Sequence, residues 1–211
     1  MPSDDEKLES ILADPWLARP GTRWSLSLLF VLVVLFALKP LIVQNLLARA
    51  QAYSSYGLYK NAARESQKAI FLDRDNIIAW NMLGNSYKNQ DDLDNSVIAY
   101  LNAINVNPAD RTAHFNVAMI FAVEQNYNRA IPHFERVRSF GPESHAELAA
   151  DSFSCYRSSL EMLSLCYERI GRSDKQQIVL EELARTYPDY KKAADKLQSL
   201  SQPAQVQQKT N

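Results

Sequence analysis

At 211 residues the chain is long enough for one domain with an appendage. Lys plus Arg is 23 against 24 for Asp plus Glu, a net charge of -1, which excludes the basic stripe that a dedicated nucleic-acid binder needs to displace counterions. Five glycines are too few for the tight turns of a sandwich or barrel, and two cysteines cannot build a disulfide framework, so an all-α protein is expected.

Residues 1–23 form an N-terminal tail. Ser3-Asp4-Asp5-Glu6 has the spacing of a helix capping box, Leu8, Ile11 and Leu12 follow at helical intervals, and Pro15 ends the pattern. A short amphipathic helix and a frayed polar tail both fit. From Trp24 to Leu38 no charge occurs. Lys39 and Pro40 interrupt, and Leu41 to Val43 extend the apolar run. A helix over residues 24–43 reaches ~30 Å, the thickness of a bilayer's hydrocarbon core. Lys39 lies where its stem can snorkel to the headgroups, and Trp24 lies where interfacial aromatics anchor a span. A cleaved signal peptide, with Ala48-Arg49-Ala50 as its site, is the competing reading. The five acids and three basic residues of the first 23 do not make a basic leader region. The chain is therefore expected to contact the lipid bilayer through residues 24–43 as a single-pass membrane protein. Flanking basic residues nearly tie across the span; a short tail kept in the cytoplasm favours a bacterial inner-membrane protein with an exported C-terminal domain.

After the span the chain repeats. Residues 77–110 align with 111–144 at a period of 34, pairing Leu83 with Val117, Gly84 with Ala118, Tyr87 with Phe121, Tyr100 with Phe134, and Pro108 with Pro142. Residues 43–76 supply Ala50, Tyr53, Ala62 and Ala69 at matching places. Small residues (Ala50, Gly84, Ala118) let two helices approach, and a large aromatic three residues later fills the space beneath. Ala62, Ser96 and Ala130, then Ala69, Ala103 and Val137, share one face of the second helix. Pro132 is expected in the first turn of its helix, where a missing N–H costs little.

These residues resemble the tetratricopeptide repeat family. Trp80, Leu83, Gly84, Tyr87, Tyr100, Ala103 and Pro108 match its motif, with Ser96 where alanine is usual. The next unit keeps Val117, Ala118, Phe121, Ala130, Phe134 and Pro142, with His114 at the tryptophan place. The first unit has Ser66 for the second aromatic and Arg74 for the proline. A fourth unit fits residues 157–190 through Leu160, Leu163, Ser164, Tyr167, Leu180 and Pro188, departing at Gln176 and Leu183. The resemblance implies an α-solenoid of about four helix pairs that binds proteins.

Residues 145–156 are an insertion, read as extending the next helix from about His145 to Ile170, with Cys155 and Cys166 too far apart along it to pair. A capping helix is expected over residues 190–200, sealed by Ala193, Ala194, Leu197 and Leu200. The Gln-rich residues 201–211 have the composition of a disordered tail.

Chemistry is sparse. His114, His133 and His145 lack metal spacing, His114 takes a packing place, and His133 and His145 read as surface or cap residues. Asp91, Asp92 and Asp94 lack the Gly and closing Glu of a calcium loop and read as a solvated turn. No catalytic residue, metal or cofactor is expected.

The resemblance also implies a concave groove lined by the first helix of each unit. In this sequence it holds Ile78, Asn81, Met82, Asn85 and Lys88, then Thr112, Phe115, Asn116, Met119 and Val123. Side-chain amides can pair with both edges of an extended peptide, and the apolar residues supply adaptable contacts. Asn85 and Asn116, offset by one turn, could bracket one bound segment. Some family members clamp a terminal carboxylate with basic residues around two asparagines. Here Asn81, Ser158 and Met162 stand where the basic residues are needed, so that mode is not expected. The function expected is a membrane-anchored adaptor with protein partners, serving assembly of a membrane complex. A permanent subunit of such a complex and a periplasmic chaperone-like helper are the alternatives.

Overall fold

A computed structural model describes residues 20–143 and 154–201, with side chains from Leu28 onward except Leu35 and Ser201. The expected N-terminal helix, His145, most of the insertion and the C-terminal tail lie outside the described residues. Among those described, the chain is all-α and has no strand. Helix α1 (Pro20–Ser55) is followed by α2 (Tyr59–Leu72), α3 (Ile77–Lys88), α4 (Leu93–Val106), α5 (Arg111–Val123) and α6 (Tyr127–Ser139). Beyond the insertion come α7 (Cys155–Arg169), α8 (Ser173–Thr186) and α9 (Lys191–Ser201).

The helices pair as α1 with α2, α3 with α4, α5 with α6 and α7 with α8. Each second helix also packs on the first helix of the next pair, and α8 packs on α9. That nearest-neighbour pattern is a solenoid. The small residues sit at the crossings: Ala50, Gly84, Ala118 and Ser164 are buried, as are Ala62, Ser66, Ser96, Ala130 and Gln176 on the second helices. Gln176, where a small residue is usual, is buried with its Nε2 unpartnered.

Backbone geometry repeats as well. The carbonyls of Tyr53, Tyr87, Phe121 and Tyr167 each accept from the amide five residues on, at 2.9, 3.0, 2.8 and 2.8 Å. This six-to-one bond closes the first helix of every pair. The residue before each donor has a left-handed backbone: Gly57, Asp91, Gln125 and Gly171, with φ of 73, 64, 59 and 74°. Two of these four places carry a side chain. Asp92 caps α4 by accepting from the Asn95 amide, so the acidic run is a turn with a capping role.

Several expectations need correction. Helix α7 begins at Cys155, because Ser154 is extended (φ −89°, ψ 107°) and its side chain accepts from the Arg157 amide, so one continuous helix from His145 does not form. Pro132 falls in the second turn of α6, where the bond it cannot make would go to the Asn128 carbonyl; Asn128 is exposed. In α9, Ala193 is buried and Leu197 packs on the core, whereas Ala194 and Leu200 face outward. Burial pushes the Cys166 thiol up to about 11.

Helix α1 joins the apolar segment to the first repeat without a break. At ~1.5 Å per residue its 36 residues extend ~54 Å. Its N-terminal part is long and apolar enough to cross a membrane. The described apolar side chains from Leu28 to Ile42 are exposed or nearly so, Phe36 by 77%. Val43, the last residue of the expected span, is buried with Ala69 and Ala79 and belongs to the repeat core.

Candidate functional site

The first helices α3 and α5 lie side by side and are tied by side-chain bonds rather than by apolar packing alone. Asn81 donates to Asp110, the N-cap of α5, at 2.5 Å, and Lys88 donates to the Oδ1 of Asn116 at 2.8 Å. Asn85, one turn along from Asn81, accepts from the hydroxyl of Tyr100 at 2.7 Å. Asn81, Asn85 and Lys88 therefore share one face of α3, as a spacing of four and three residues requires.

Two polar groups on this face are left without full compensation. The Oδ1 of Asn81 is buried and has no hydrogen-bond partner. Lys88 is half-buried, burial lowers its pKa, and it makes no ion pair among the described residues. An ammonium removed from water without a carboxylate nearby favours an acidic group on whatever fills the groove.

The other expected groove residues divide. Met82 and Met119 are half-buried, Thr112 and Val123 are exposed, and Ile78 is exposed in the first turn of α3, at the end of the groove. Phe115 and Asn116 are each only 8% exposed. Phe115 packs edge-on against Phe134 at 6.1 Å, and the Asn116 amide donates to the Thr112 carbonyl. Phe134 of α6 packs on Phe115 and Lys88 of α3 bonds Asn116, and α7 also packs on α5. Contacts between helices are missed by counting along one helix. Lys88, not Asn116, offers the donor here.

His133, expected at the surface, is half-buried against His114, their Nδ1 atoms 3.0 Å apart. The Nε2 of His114 faces the Pro108 carbonyl at 3.3 Å, and a carbonyl only accepts. That nitrogen therefore carries the proton, and His114 Nδ1 accepts from His133 Nδ1–H. Burial, first of all, pushes His133 down to about 4 and lowers His114 too. The pair sits between α5 and α6 and away from the groove. Among the described residues no group of three or more His, Cys, Asp and Glu is placed to hold a metal ion.

An ionic cluster, not foreseen from the sequence, locks the third pair to the fourth. Arg138 bridges Glu135 at 3.2 Å and Glu182 at 2.6 Å; Tyr167 donates to Glu135, and Tyr156 donates to Glu182. Burial works against the Glu182 carboxylate, but its bonds from Arg138 and Tyr156 outweigh that and hold its pKa below the ordinary value. Glu143 reaches over the insertion to accept from the Tyr156 amide and the Ser154 hydroxyl, both at 2.8 Å, while Arg111 lies 3.4 Å away.

Residues 77–110 match the tetratricopeptide repeat family. No curated protein matches the chain. Solved structures share its fold: one of MamA has a TM-score of 0.58 at 19% identity, covering 71% of this chain and 75% of that one. YrrB, a TPR protein with an unusual peptide-binding site, has a TM-score of 0.59 at 14% identity, covering 74% of each chain. The repeated aromatic-to-turn bond, the small residues at each crossing and these likenesses agree: residues 77–110 carry a tetratricopeptide repeat, and the chain has the fold of tetratricopeptide-repeat solenoids.

Proposed function

We propose that the chain is a membrane-anchored adaptor whose concave face holds an extended segment of a partner protein during assembly or stabilisation of a membrane complex. The observation that carries this reading is the unbalanced polarity of the groove, above all the Lys88 ammonium that has an amide but no carboxylate for company. The fold is that of protein-interaction scaffolds rather than enzymes, and the peptide-binding site of YrrB lies on a similar fold. An acidic side chain over Lys88, flanked by backbone bonds to Asn81 and Asn85, is the recognition the groove supports.

The anchor part of the reading rests on α1. Lipid would cover the outward apolar side chains from Leu28 to Ile42, which nothing in the fold covers among the described residues. Ala50 of the alternative cleavage site is fully buried inside the first repeat, which favours an uncleaved helix. Anchoring raises the effective concentration of the groove beside membrane partners, strengthening weak contacts without adding any.

Photo-crosslinking in native membranes tests this. A photoreactive residue at Met82 should give a discrete adduct with one partner, and the same residue at the exposed Ile98 on α4 should not. Equal adducts from both positions, or none from Met82, would overturn the groove reading. A partner that co-purifies at fixed stoichiometry would mark a permanent subunit instead of an adaptor.

A further inference from the structure

The corner between α2 and α3 stands beside the apolar part of α1. Helix α1 leaves the span and becomes the first repeat helix, and α2 returns antiparallel to it, so that Ala69 meets Val43. The chain of the corner descends further. Asp73 and Asn76 line a wedge of about 650 Å³ together with Phe36, Ala37, Lys39 and Pro40 of α1. Asp73 and Asn76 therefore lie level with the end of the apolar stretch of α1, and Phe71, which shares a groove with Leu46, lies about one helical turn beyond it.

At that depth the corner displays apolar side chains that the fold does not use. Phe71 is 81% exposed and Ile78 is 61% exposed, one on each side of the turn. Lys68 lies one helical turn back from Phe71, and Arg74 lies between the two apolar residues; both are exposed. Acidic groups balance them: Glu65 pairs with Lys68, the Asn76 amide bonds Asp73, and Asp75 is exposed. A near-neutral mixture of charges around an aromatic residue suits zwitterionic phospholipid as well as anionic lipid.

The turn is also stiff. Trp80 Nε1 donates to the Arg74 carbonyl at 2.8 Å, and Asn76 caps α3 by accepting from the Ala79 amide at 3.0 Å. Phe71, in the last turn of α2, is thus held outward beside a fixed turn.

We propose that the α2–α3 corner is a second membrane contact, in which Phe71 enters the interfacial layer of the bilayer crossed by α1, with Lys68, Arg74 and Lys39 at phosphate depth. This rests on the reading that α1 spans the membrane. Two contacts, one through α1 and one through the corner, fix the tilt of the solenoid and hold the groove at a set height over the bilayer.

Nitroxide labelling of the full chain in phosphatidylcholine–phosphatidylglycerol vesicles tests the contact. Cys155→Ser removes the half-buried thiol, and Cys166 stays because burial keeps it protonated and unreactive. Single labels go at Leu32→Cys in the span, Phe71→Cys at the corner and Ile178→Cys on α8, all exposed positions whose replacement spares the core. Collision with dissolved oxygen, relative to a water-soluble nickel chelate, should be severalfold higher at 71 than at 178 and highest at 32. A label at 71 as open to nickel as that at 178, with 32 still deep, would overturn the corner contact and leave the anchor standing. A label at 71 shielded from both reagents would show a protein partner there and overturn it too. Exposure of the label at 32 to nickel would defeat the anchor reading and the corner contact with it.

Discussion

The ring of Tyr100 lies so close to Gly84 that a Cβ built there would fall 2.7 Å from Cε1 and 2.9 Å from Cζ. Tyr100 cannot retreat, since it is fully buried and its hydroxyl donates to Asn85. The Gly84 carbonyl meanwhile accepts from Ser96 at 2.8 Å, which closes the helices further. Replacing Gly84 with Ala should cost about 1–3 kcal/mol by overpacking, and Leu more. Thermal unfolding is the check, and a melting temperature within about one degree of wild type would show that the crossing is loose.

The four left-handed turn residues predict a gain of stability. A left-handed backbone costs a side-chain-bearing residue about 1–2 kcal/mol, less for Asp, against the extra entropy glycine loses on folding. Gln125→Gly should stabilise by up to about 1 kcal/mol, and Asp91→Gly by less. Urea unfolding that places both variants below wild type would contradict the strain assigned to φ of 59 and 64°.

Protonation of the His114–His133 pair should weaken the fold. Both folded pKa values lie below the ordinary histidine value, so the unfolded chain binds more protons as pH falls. The contribution is complete above pH ~6.5 and is lost progressively toward pH about 4. The urea midpoint should therefore drop between those values, and His133→Phe should flatten the drop. An unchanged slope in that variant would remove the pair from the account.

Glu143 should matter more than a surface carboxylate. It is the group that joins Ser154 and the Tyr156 amide across the insertion. Glu143→Ala leaves that amide without its acceptor and Arg111 without its ion pair, at a cost of about 1–3 kcal/mol. Hydrogen exchange at the Tyr156 amide should speed up; unaltered protection there would mean the clamp is not used.

The repeat was legible because its signals are local: small residue, aromatic and turn return every 34 residues through the first three units, with the proline closing the second and third. The start of α7 was not, since the insertion reads as helix from about His145, while Ser154 does the capping seen. Of the expected groove residues, those of α3 keep some exposure, whereas Phe115 and Asn116 of α5 are buried. Phe134 packs on Phe115 and Lys88 bonds Asn116, contacts from other helices that counting along one helix does not show. His133 meets His114 through helix pairing, which no spacing along one helix reveals.

The most direct test of the groove is the affinity of the partner captured at Met82 for full-length wild type and for Lys88→Met in the same detergent. Methionine keeps the packing of the half-buried stem and removes only the ammonium. Loss of one charge-assisted hydrogen bond is worth about 1.5–3 kcal/mol, or roughly ten- to 150-fold in Kd, with the melting temperature nearly unchanged. A loss in that range, shrinking as salt is raised, is the result expected. Equal affinity of the two proteins would contradict a partner seated on the concave face.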